Sequence, residues 1–177
     1  MKNKRAILII AVCVLILVLG NGLYKVPGQE EAMGSSSDKV SGYAWSDNIG
    51  WISFNCTDVS CTSSDYGVDV DLGSGDFSGY AWSDNIGWID FSPNPPYPSA
   101  PNYSANYDSS TGEVNGWIRA LSYGDSWDGW ILLGDEVNSW TNQVSINPDT
   151  KEFEGWAWGS SVIGWISFNC SGPGTCQ

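Results

Sequence analysis

Alternating carboxylates are the first residues of this chain whose types and spacing suggest chemistry. Asp69, Asp71 and Asp76 fall within eight residues, and Gly73 and Gly75 between them favour a tight turn. Oxygen ligands at alternate positions suit a hard cation such as calcium. The spacing lacks the twelve-residue loop and closing Glu of an EF-hand, and a solvated strand face leading into a hairpin explains the same residues. Calcium is therefore the one candidate cofactor, and no other is predicted.

Catalysis is not predicted, because the chain has no histidine. The usual general base and the Ser/His and Cys/His pairs are therefore missing. Paired carboxylates could still hydrolyse glycosides, but Asp47 and Asp84 occupy one position of a duplicated turn, where turn chemistry accounts for them. Asp90 is a slightly better lone candidate, since its counterparts in two other repeats, Ser53 and Ser167, are not acidic. We expect a protein that is not an enzyme.

Aromatic residues suggest a different chemistry, the binding of sugars. Tyr43 and Trp45 are two residues apart, as are Tyr80 and Trp82, so each pair points to one side of its strand. Exposed rings beside Asp and Asn suit sugars, which stack on aromatic faces and hydrogen-bond to carboxylates and amides. The alternative is that the repeated rings fill the interior between units, and we expect this for most of them. Four aromatic residues are candidates for ligand binding: Tyr43, Tyr80, Trp127 and Trp140.

Four cysteines follow the N-terminal apolar run as two pairs. Cys56 and Cys61 flank a short loop, and Cys170 and Cys176 flank another at the equivalent place in the last repeat. Four cysteines allow three pairings, and the repeat favours two local disulfides. Zinc is the alternative, weakened by the lack of histidine and by the separation of the pairs. Local disulfides indicate an exported protein, because an oxidising compartment preserves them.

These residues belong to a repeated framework. The sequence SGYAWSDNIGWI occurs unchanged at Ser41–Ile52 and Ser78–Ile89, 37 residues apart, and weaker copies begin at Gly116-Trp117 and Gly155-Trp156. A period of 20–50 residues is typical of repeat architectures. We call the four copies units 1 to 4: residues 41–54, 66–91, 102–133 and 143–168.

Each unit predicts short antiparallel strands joined by turns rich in Gly, Asp and Asn. In unit 2 the strands are Tyr66–Leu72, which alternates apolar and acidic residues, Phe77–Trp82 and Trp88–Phe91. Helix signals are almost absent after residue 25. We predict an all-β fold in which four repeats of about 37 residues form an open stack or a sandwich, with a propeller-like ring as the alternative.

Unit 1 lacks the first of these strands. Met33–Lys39 is rich in Gly and Ser and shows no alternation. The strand Val40–Trp45 is therefore expected to have one unpaired edge. Such an edge offers a place for self-association by strand addition.

The repeat resembles a Trp-rich repeat found in predicted secreted proteins of uncultivated candidate-phyla (Patescibacteria) bacteria. The resemblance rests on the SGYAWSDNIGWI core and on the blocks Gly116–Leu133, Gly155–Gly159 and Gly164–Cys170, and it covers roughly residues 40–176. It implies an extracytoplasmic repeat domain, often behind a signal or anchor, with no established activity. It transfers no catalytic residue to this chain.

The N-terminal residues predict export. Lys2, Lys4 and Arg5 precede the apolar run Ala6–Leu19, as in a signal peptide, although 14 apolar residues fall short of the roughly 20 that span a bilayer. No clear cleavage site follows, so an uncleaved anchor is the alternative. We assign residues 1–22 to a signal peptide or membrane anchor, 23–40 to a linker and 41–177 to the β-repeat domain.

Charge limits the partners. Residues 41–177 carry 17 acidic and two basic side chains. Such a surface repels phosphate backbones and anionic lipids, so we expect no nucleic acid partner and membrane contact only through the N-terminal segment. Two functions fit the sequence. One is a secreted or surface-anchored module that binds a carbohydrate or a cell-surface protein. The other is a structural subunit of a surface stalk, sheath or filament.

Overall fold

The structure is a computed structural model, and it describes residues 37–138 and 140–168 of the chain. Thirteen strands account for most of its regular structure within these residues. In chain order they are β1 (Ser37–Val40), β2 (Tyr43–Ser46), β3 (Gly50–Ser53), β4 (Val68–Asp71), β5 (Phe77–Ser83), β6 (Gly87–Asp90), β7 (Asn106–Tyr107), β8 (Val114–Ala120), β9 (Trp130–Gly134), β10 (Ser145–Ile146), β11 (Phe153–Glu154), β12 (Trp156–Trp158) and β13 (Trp165–Ser167). A 3-10 turn (Cys56–Asp58) and the one-turn helix α1 (Ser160–Ile163) complete them. The prediction of an all-β fold is confirmed. Among the described residues, no helix has the length and apolar character needed to cross a membrane.

Eight of the strands close into an antiparallel barrel. Each unit contributes one hairpin, namely β2–β3, β5–β6, β8–β9 and β12–β13. Neighbouring hairpins pair through β3–β5, β6–β8 and β9–β12, and β13 returns to β2. The units therefore form neither the expected open stack or sandwich nor the separate blades of a propeller. The strands at the ends of each hairpin pair with the next unit, so one continuous sheet results.

Small and branched apolar side chains fill the barrel. In unit 1, Ala44 and Ile52 face inward and are 0% and 3% exposed. The equivalent residues of the other units are buried as well: Ala81, Ile89, Ile118, Ile131, Ala157 and Ile166. Strand alternation then directs Trp45 and Trp51 outward, where both are half-buried. The rings of units 1 and 2 therefore do not fill the barrel interior as expected, because the Ala and Ile side chains already fill an eight-stranded barrel.

A second layer of strands continues from one end of the barrel. β5 and β8 are seven residues long, and their first residues pair with β4 and β7; in unit 4, β11 pairs with β10 in the same way. The interior of this layer joins the barrel interior in one hydrophobic core. Phenylalanine rings 5.6–6.3 Å apart connect the two parts: Phe54, Phe77, Phe91, Phe153 and Phe168.

β1 is a strand where the sequence predicted none. It pairs with β4, and its Val40 is 5% exposed opposite Val68. The Gly- and Ser-rich composition concealed it, because Val40 is its only buried side chain among those described. β1 corresponds to the start of β5, since Val40 precedes Gly42 as Phe77 precedes Gly79. The described residues therefore contain no unit 1 counterpart of β4. β2 pairs with β3 along its whole length but with β13 only at Trp45 and Ser46, so among the described residues the open edge comprises β1 and the start of β2 at Tyr43.

Candidate functional site

The outer face of the barrel carries paired rings. Two side chains face each other across the hairpin of each unit, with centroids 4.7 Å apart in Trp45–Trp51, 4.6 Å in Trp82–Trp88 and 4.9 Å in Trp158–Trp165. Such inclined geometries are favourable because the positive edge of one ring meets the negative face of the other. In unit 3, Arg119 replaces the first indole, and its guanidinium lies 4.6 Å from the Trp130 ring as a cation–π pair.

The repeated Ser-Asp-Asn turns hold these rings in place. The Trp45 indole N–H donates to Asp47 (3.0 Å), and Trp82 donates to Asp84 in the same way (2.9 Å). The Asn85 amide donates to the Ile49 carbonyl of the preceding unit (3.0 Å). The turn thus orients an indole and ties neighbouring units together. These contacts account for Asp47 and Asp84 without a catalytic role.

Loops cover the two indoles of unit 3, Trp117 and Trp130. The Trp117 indole N–H donates to the Pro101 carbonyl (2.9 Å), and the Tyr97 ring lies 5.6 Å from Trp130. Both residues come from the proline-rich loop after β6. Trp117 and Trp130 are consequently only 8% and 7% exposed. The rings of unit 3 are part of the packed structure.

The aromatic pair of unit 4 is bare by comparison. Trp158 is 40% exposed and Trp165 is 49% exposed. They line a cleft of about 250 Å³ between units 4 and 1, together with Trp45, Asp47, Asn48 and Trp156. In the sheet, Ser167 stands opposite Trp156 on one side and Trp45 on the other. The small residue Ser167 thus separates the indoles of Trp156 and Trp45. The cleft therefore has aromatic walls, with the Asp47 carboxylate and the Asn48 amide beside them.

The four predicted ligand-binding residues lie in different surroundings. Trp140 borders the cleft: its ring is 6.3 Å from Trp165, and its indole N–H donates to the Trp156 carbonyl (3.3 Å). Tyr80, 44% exposed, belongs to the outer face of unit 2. Trp127 is half-buried against the core, and its buried indole N–H has no partner among the described residues.

Tyr43 is half-buried and its hydroxyl donates to the Asp58 carbonyl (2.6 Å). Burial, followed by the nearby Asp58 carboxylate, raises the pKa of Tyr43. The structure therefore places Trp140 against two residues of the cleft, Trp156 and Trp165, although Trp140 is not part of the lining, and it leaves the other three candidates elsewhere. Sequence reasoning missed Trp158 and Trp165. A usable signal was the absence before unit 4 of a proline-rich loop like residues 93–101, since residues 134–142 contain no proline.

The predicted calcium ligands do not converge. Asp71 accepts from the backbone N–H groups of Gly73 (2.8 Å) and Ser74, which caps the hairpin turn, while Asp76 accepts from the Asn106 amide (2.9 Å). Within the described residues, the one group of three metal-binding side chains is Cys56, Cys61 and Asp65, and it does not include Asp69, Asp71 or Asp76. Calcium binding stays a prediction that this geometry does not favour.

The first predicted disulfide is confirmed: Cys56 and Cys61 are bonded. Their sulfurs are therefore not thiolate ligands, which argues against zinc at this pair. Cys170 and Cys176 lie outside the described residues, so their pairing stays a prediction.

Known proteins add nothing to this description. No protein-family model, curated protein or solved structure matches the chain. The resemblance to the Trp-rich repeat of Patescibacteria therefore stays a prediction, and the function has to be argued from the surface itself.

Proposed function

We propose that this protein is a non-catalytic, extracytoplasmic binding module that holds a carbohydrate in the aromatic cleft between units 4 and 1. The observation that carries the proposal is the exposed Trp158–Trp165 pair, because large apolar rings exposed together mark an interaction surface. Tryptophan faces stack on the C–H faces of sugar rings. Asp47 and Asn48 at the rim supply polar groups that can hydrogen-bond to hydroxyls.

The size of the cleft supports a small portion of a glycan as the ligand. Its volume of about 250 Å³ is just below the roughly 300–1,000 Å³ of pockets that enclose whole ligands. A sugar ring or a chain end fits such a cleft, with the rest of the glycan in solvent. A binding surface of this kind is consistent with the presentation of the domain outside the cell.

Two features support an extracytoplasmic location. The Cys56–Cys61 disulfide suits an oxidising compartment. The basic residues and apolar run at the N-terminus predict a signal peptide or an anchor on the outer face of the cytoplasmic membrane.

A glycan array probed with the oxidised full-length chain tests the proposal. Binding to a defined set of glycans is expected, and Trp165→Ala and Trp158→Ala should each lower affinity at least tenfold. Tyr123→Ala is the matched control, because Tyr123 is 48% exposed and packs under Arg119 in unit 3. No glycan binding, or binding that these tryptophan variants leave unchanged, would refute the proposal.

The alternative, a structural subunit of a stalk, sheath or filament, draws support from the open edge of β1. Light scattering across a wide concentration range separates the two functions. Assembly of the chain without any ligand would favour the structural role.

A further inference from the structure

In units 2 to 4, the first strand is inserted between two other strands. β4 pairs with β5 of its own unit and with β1, which directly precedes unit 1. β7 pairs with β8 and bonds to the start of β5, where Phe77 N–H donates to the Ala105 carbonyl (3.2 Å). β10 pairs with β11 and bonds to the start of β8, where Val114 N–H donates to the Val144 carbonyl (2.8 Å). By this pattern, a strand of unit 1 would lie between β11 and β1.

The described residues leave a cavity of about 510 Å³ at this place. β1 lines one side and β11 the other, and phenylalanine rings contribute to its wall: Lys39, Val40, Lys151, Phe153, Phe54 and Phe168. We call this cavity the strand slot. Both of its sides are strand edges, and its wall belongs to the hydrophobic core.

Glycines at one equivalent position of the four units show that the slot has space for the backbone of an inserted strand. Gly79, Gly116 and Gly155 have φ between +84° and +96°, and a Cβ on any of them would lie 2.1–2.3 Å from a carbonyl oxygen of the inserted segment. Those oxygens belong to Gly67, Ser104 and Gln143. Gly42 has the same conformation (φ +89°), but a Cβ there would meet nothing within 4 Å. Unit 1 therefore has the glycine that the insertion requires, while the described residues contain no inserted strand beside it.

Backbone hydrogen bonds repeat the same pattern. Each inserted strand donates a hydrogen bond of 2.9 Å to the carbonyl equivalent to that of Lys39; these acceptors are Asp76, Glu113 and Glu152. Each also accepts from the N–H equivalent to that of Tyr43, at 2.8–3.2 Å; these donors are Tyr80, Trp117 and Trp156. On the β11 side of the slot, the Phe153 N–H is equivalent to the N–H groups of Phe77 and Val114, which donate to carbonyls of the inserted strands next to them. Among the described residues, no strand pairs with Lys39, Tyr43 or Phe153 across the slot.

The three inserted strands display the chemistry that the slot accepts. Each has the pattern apolar–polar–apolar, with the apolar side chains directed into the core: Val68-Asp69-Val70, Ala105-Asn106-Tyr107 and Val144-Ser145-Ile146. The first apolar residue of each inserted strand stands nine positions before an apolar residue of the next strand that packs on the core; these residues are Phe77, Val114 and Phe153. Nine positions before Val40, the sequence has Glu31. This acidic residue does not match the apolar residue at the same position of the three inserted strands, because burying a carboxylate without a partner costs stability.

The charge of the slot rim permits an acidic residue at the polar position. The described residues include three basic side chains, and two of them, Lys39 and Lys151, line the slot together with Asp38 and Glu152. The slot rim is thus balanced in charge on a strongly acidic domain. Lys39 already stands opposite Asp69 of β4, which shows that this position accommodates an acid on a neighbouring strand.

We propose that the strand slot binds an extended segment of another polypeptide, in which apolar residues alternate with acidic ones. The segment runs antiparallel to β1, accepts from Tyr43 N–H, donates to the Lys39 carbonyl, and places two apolar side chains on the core. This is recognition by strand addition, in which backbone hydrogen bonds give affinity and alternate side chains give specificity. It is independent of carbohydrate binding at the aromatic cleft.

A labelled peptide copied from unit 2, Tyr66–Leu72, is the probe. We expect saturable binding to the oxidised full-length chain by fluorescence anisotropy. A peptide with aspartate in place of both Val68 and Val70 should bind at least tenfold more weakly. Tyr43→Pro removes the N–H that faces the slot and should weaken binding at least tenfold, whereas the matched control Tyr43→Val keeps this N–H and should retain binding.

Hydrogen exchange gives a second readout that needs no variant. Bound peptide should protect the Tyr43 and Phe153 amides of the wild-type chain. No saturable binding, equal binding of the aspartate peptide, or binding without protection of these amides would overturn the proposal. So would a full-length chain that rejects the peptide while a chain lacking residues 23–36 accepts it, because the chain would then fill its own slot.

Discussion

Unit 1 has two boundaries in the barrel, and they differ. At the boundary with unit 2, β4 is inserted beside β1, and Tyr66 lies over Ser53, to which its hydroxyl donates (2.9 Å). At the boundary with unit 4, no described strand is inserted, and the equivalent Ser167 stands between two indoles beside an open cleft. The same hairpin therefore has one covered side and one open side.

This difference shows what decides whether a repeated ring is structural or available. All four hairpins direct rings outward, because Ala and Ile occupy the inward positions. Segments between the hairpins then cover some rings and leave others exposed. Function in this protein should therefore be sought where the described residues contain no such segment, at the boundary between units 4 and 1. The repeated motif itself mainly builds the barrel.

The largest expected effect compares a covered ring with an exposed one. Trp117→Ala should lower the free energy of unfolding by about 3–5 kcal/mol, because it removes a buried indole and leaves a cavity. Trp165→Ala should lower it by less than about 1 kcal/mol, because 49% of the side chain is already in solvent. Urea denaturation of both variants measures the difference. Equal losses would show that the unit 4 ring is as structural as the unit 3 ring.

The second prediction compares the two glycines of the identical repeats. Gly79→Ala and Gly42→Ala both force alanine into positive φ, which costs about 1–3 kcal/mol. At Gly79 the new Cβ would also collide with the Gly67 carbonyl, and such overpacking adds about 1–3 kcal/mol. We expect Gly79→Ala to be the more destabilising variant in urea denaturation. If Gly42→Ala costs as much, some segment already fills the strand slot.

The sequence predicted the strands because their turns and alternation are local properties. In unit 2, the predicted strand Phe77–Trp82 became β5 (Phe77–Ser83), and Trp88–Phe91 became β6 (Gly87–Asp90). The local disulfide between Cys56 and Cys61 was predicted for the same reason. β1 was missed, because Val40 alone carried its burial signal.

Closure of the barrel could not be predicted from alternation. Alternation separates Ala44 from Trp45 but does not say which face is inside. The answer depends on the pairing of β13 with β2, two strands more than 110 residues apart in the chain. The candidate site could not be predicted for the same reason, since the exposure of Trp158 and Trp165 depends on which segments of the chain lie beside them. Their residue types resemble those of the covered rings.

The third prediction concerns the cover over Ser53. Tyr66→Phe removes the hydroxyl that donates to Ser53 and keeps the ring 5.2 Å from Trp88. We expect a loss of about 0.5–1.5 kcal/mol, the usual net contribution of one hydrogen bond. Urea denaturation checks the value. Tyr97→Phe is the control of equal chemistry, because its hydroxyl donates within the proline-rich loop to Pro93 (3.0 Å) and does not join two units.

The smallest effect compares two equivalent turns, one with an acid and one with an amide. In unit 3, Asp108 accepts from the hydroxyl and the N–H of Ser110 (2.6 and 2.8 Å), and these bonds lower the pKa of Asp108. In unit 4, Asn147 makes the corresponding backbone bonds to Asp149 and Thr150 without a titrating group. The acid turn should therefore depend on pH, and the amide turn should not.

The sign of this dependence follows from the direction of the shift. A pKa lower in the folded chain than in the unfolded chain stabilises the fold above the unfolded value of about 3.9, and this contribution is lost as the pH falls through the folded pKa. Asp108→Asn should therefore lower stability slightly at pH 7, where the charge contributes, and reduce the loss on acidification below about pH 4. Urea denaturation at pH 7, 5 and 3 tests this, with Asp149→Asn as the control. A variant that loses stability at pH 7 but keeps the wild-type acid dependence would show that the Asp108 charge does not matter to the fold.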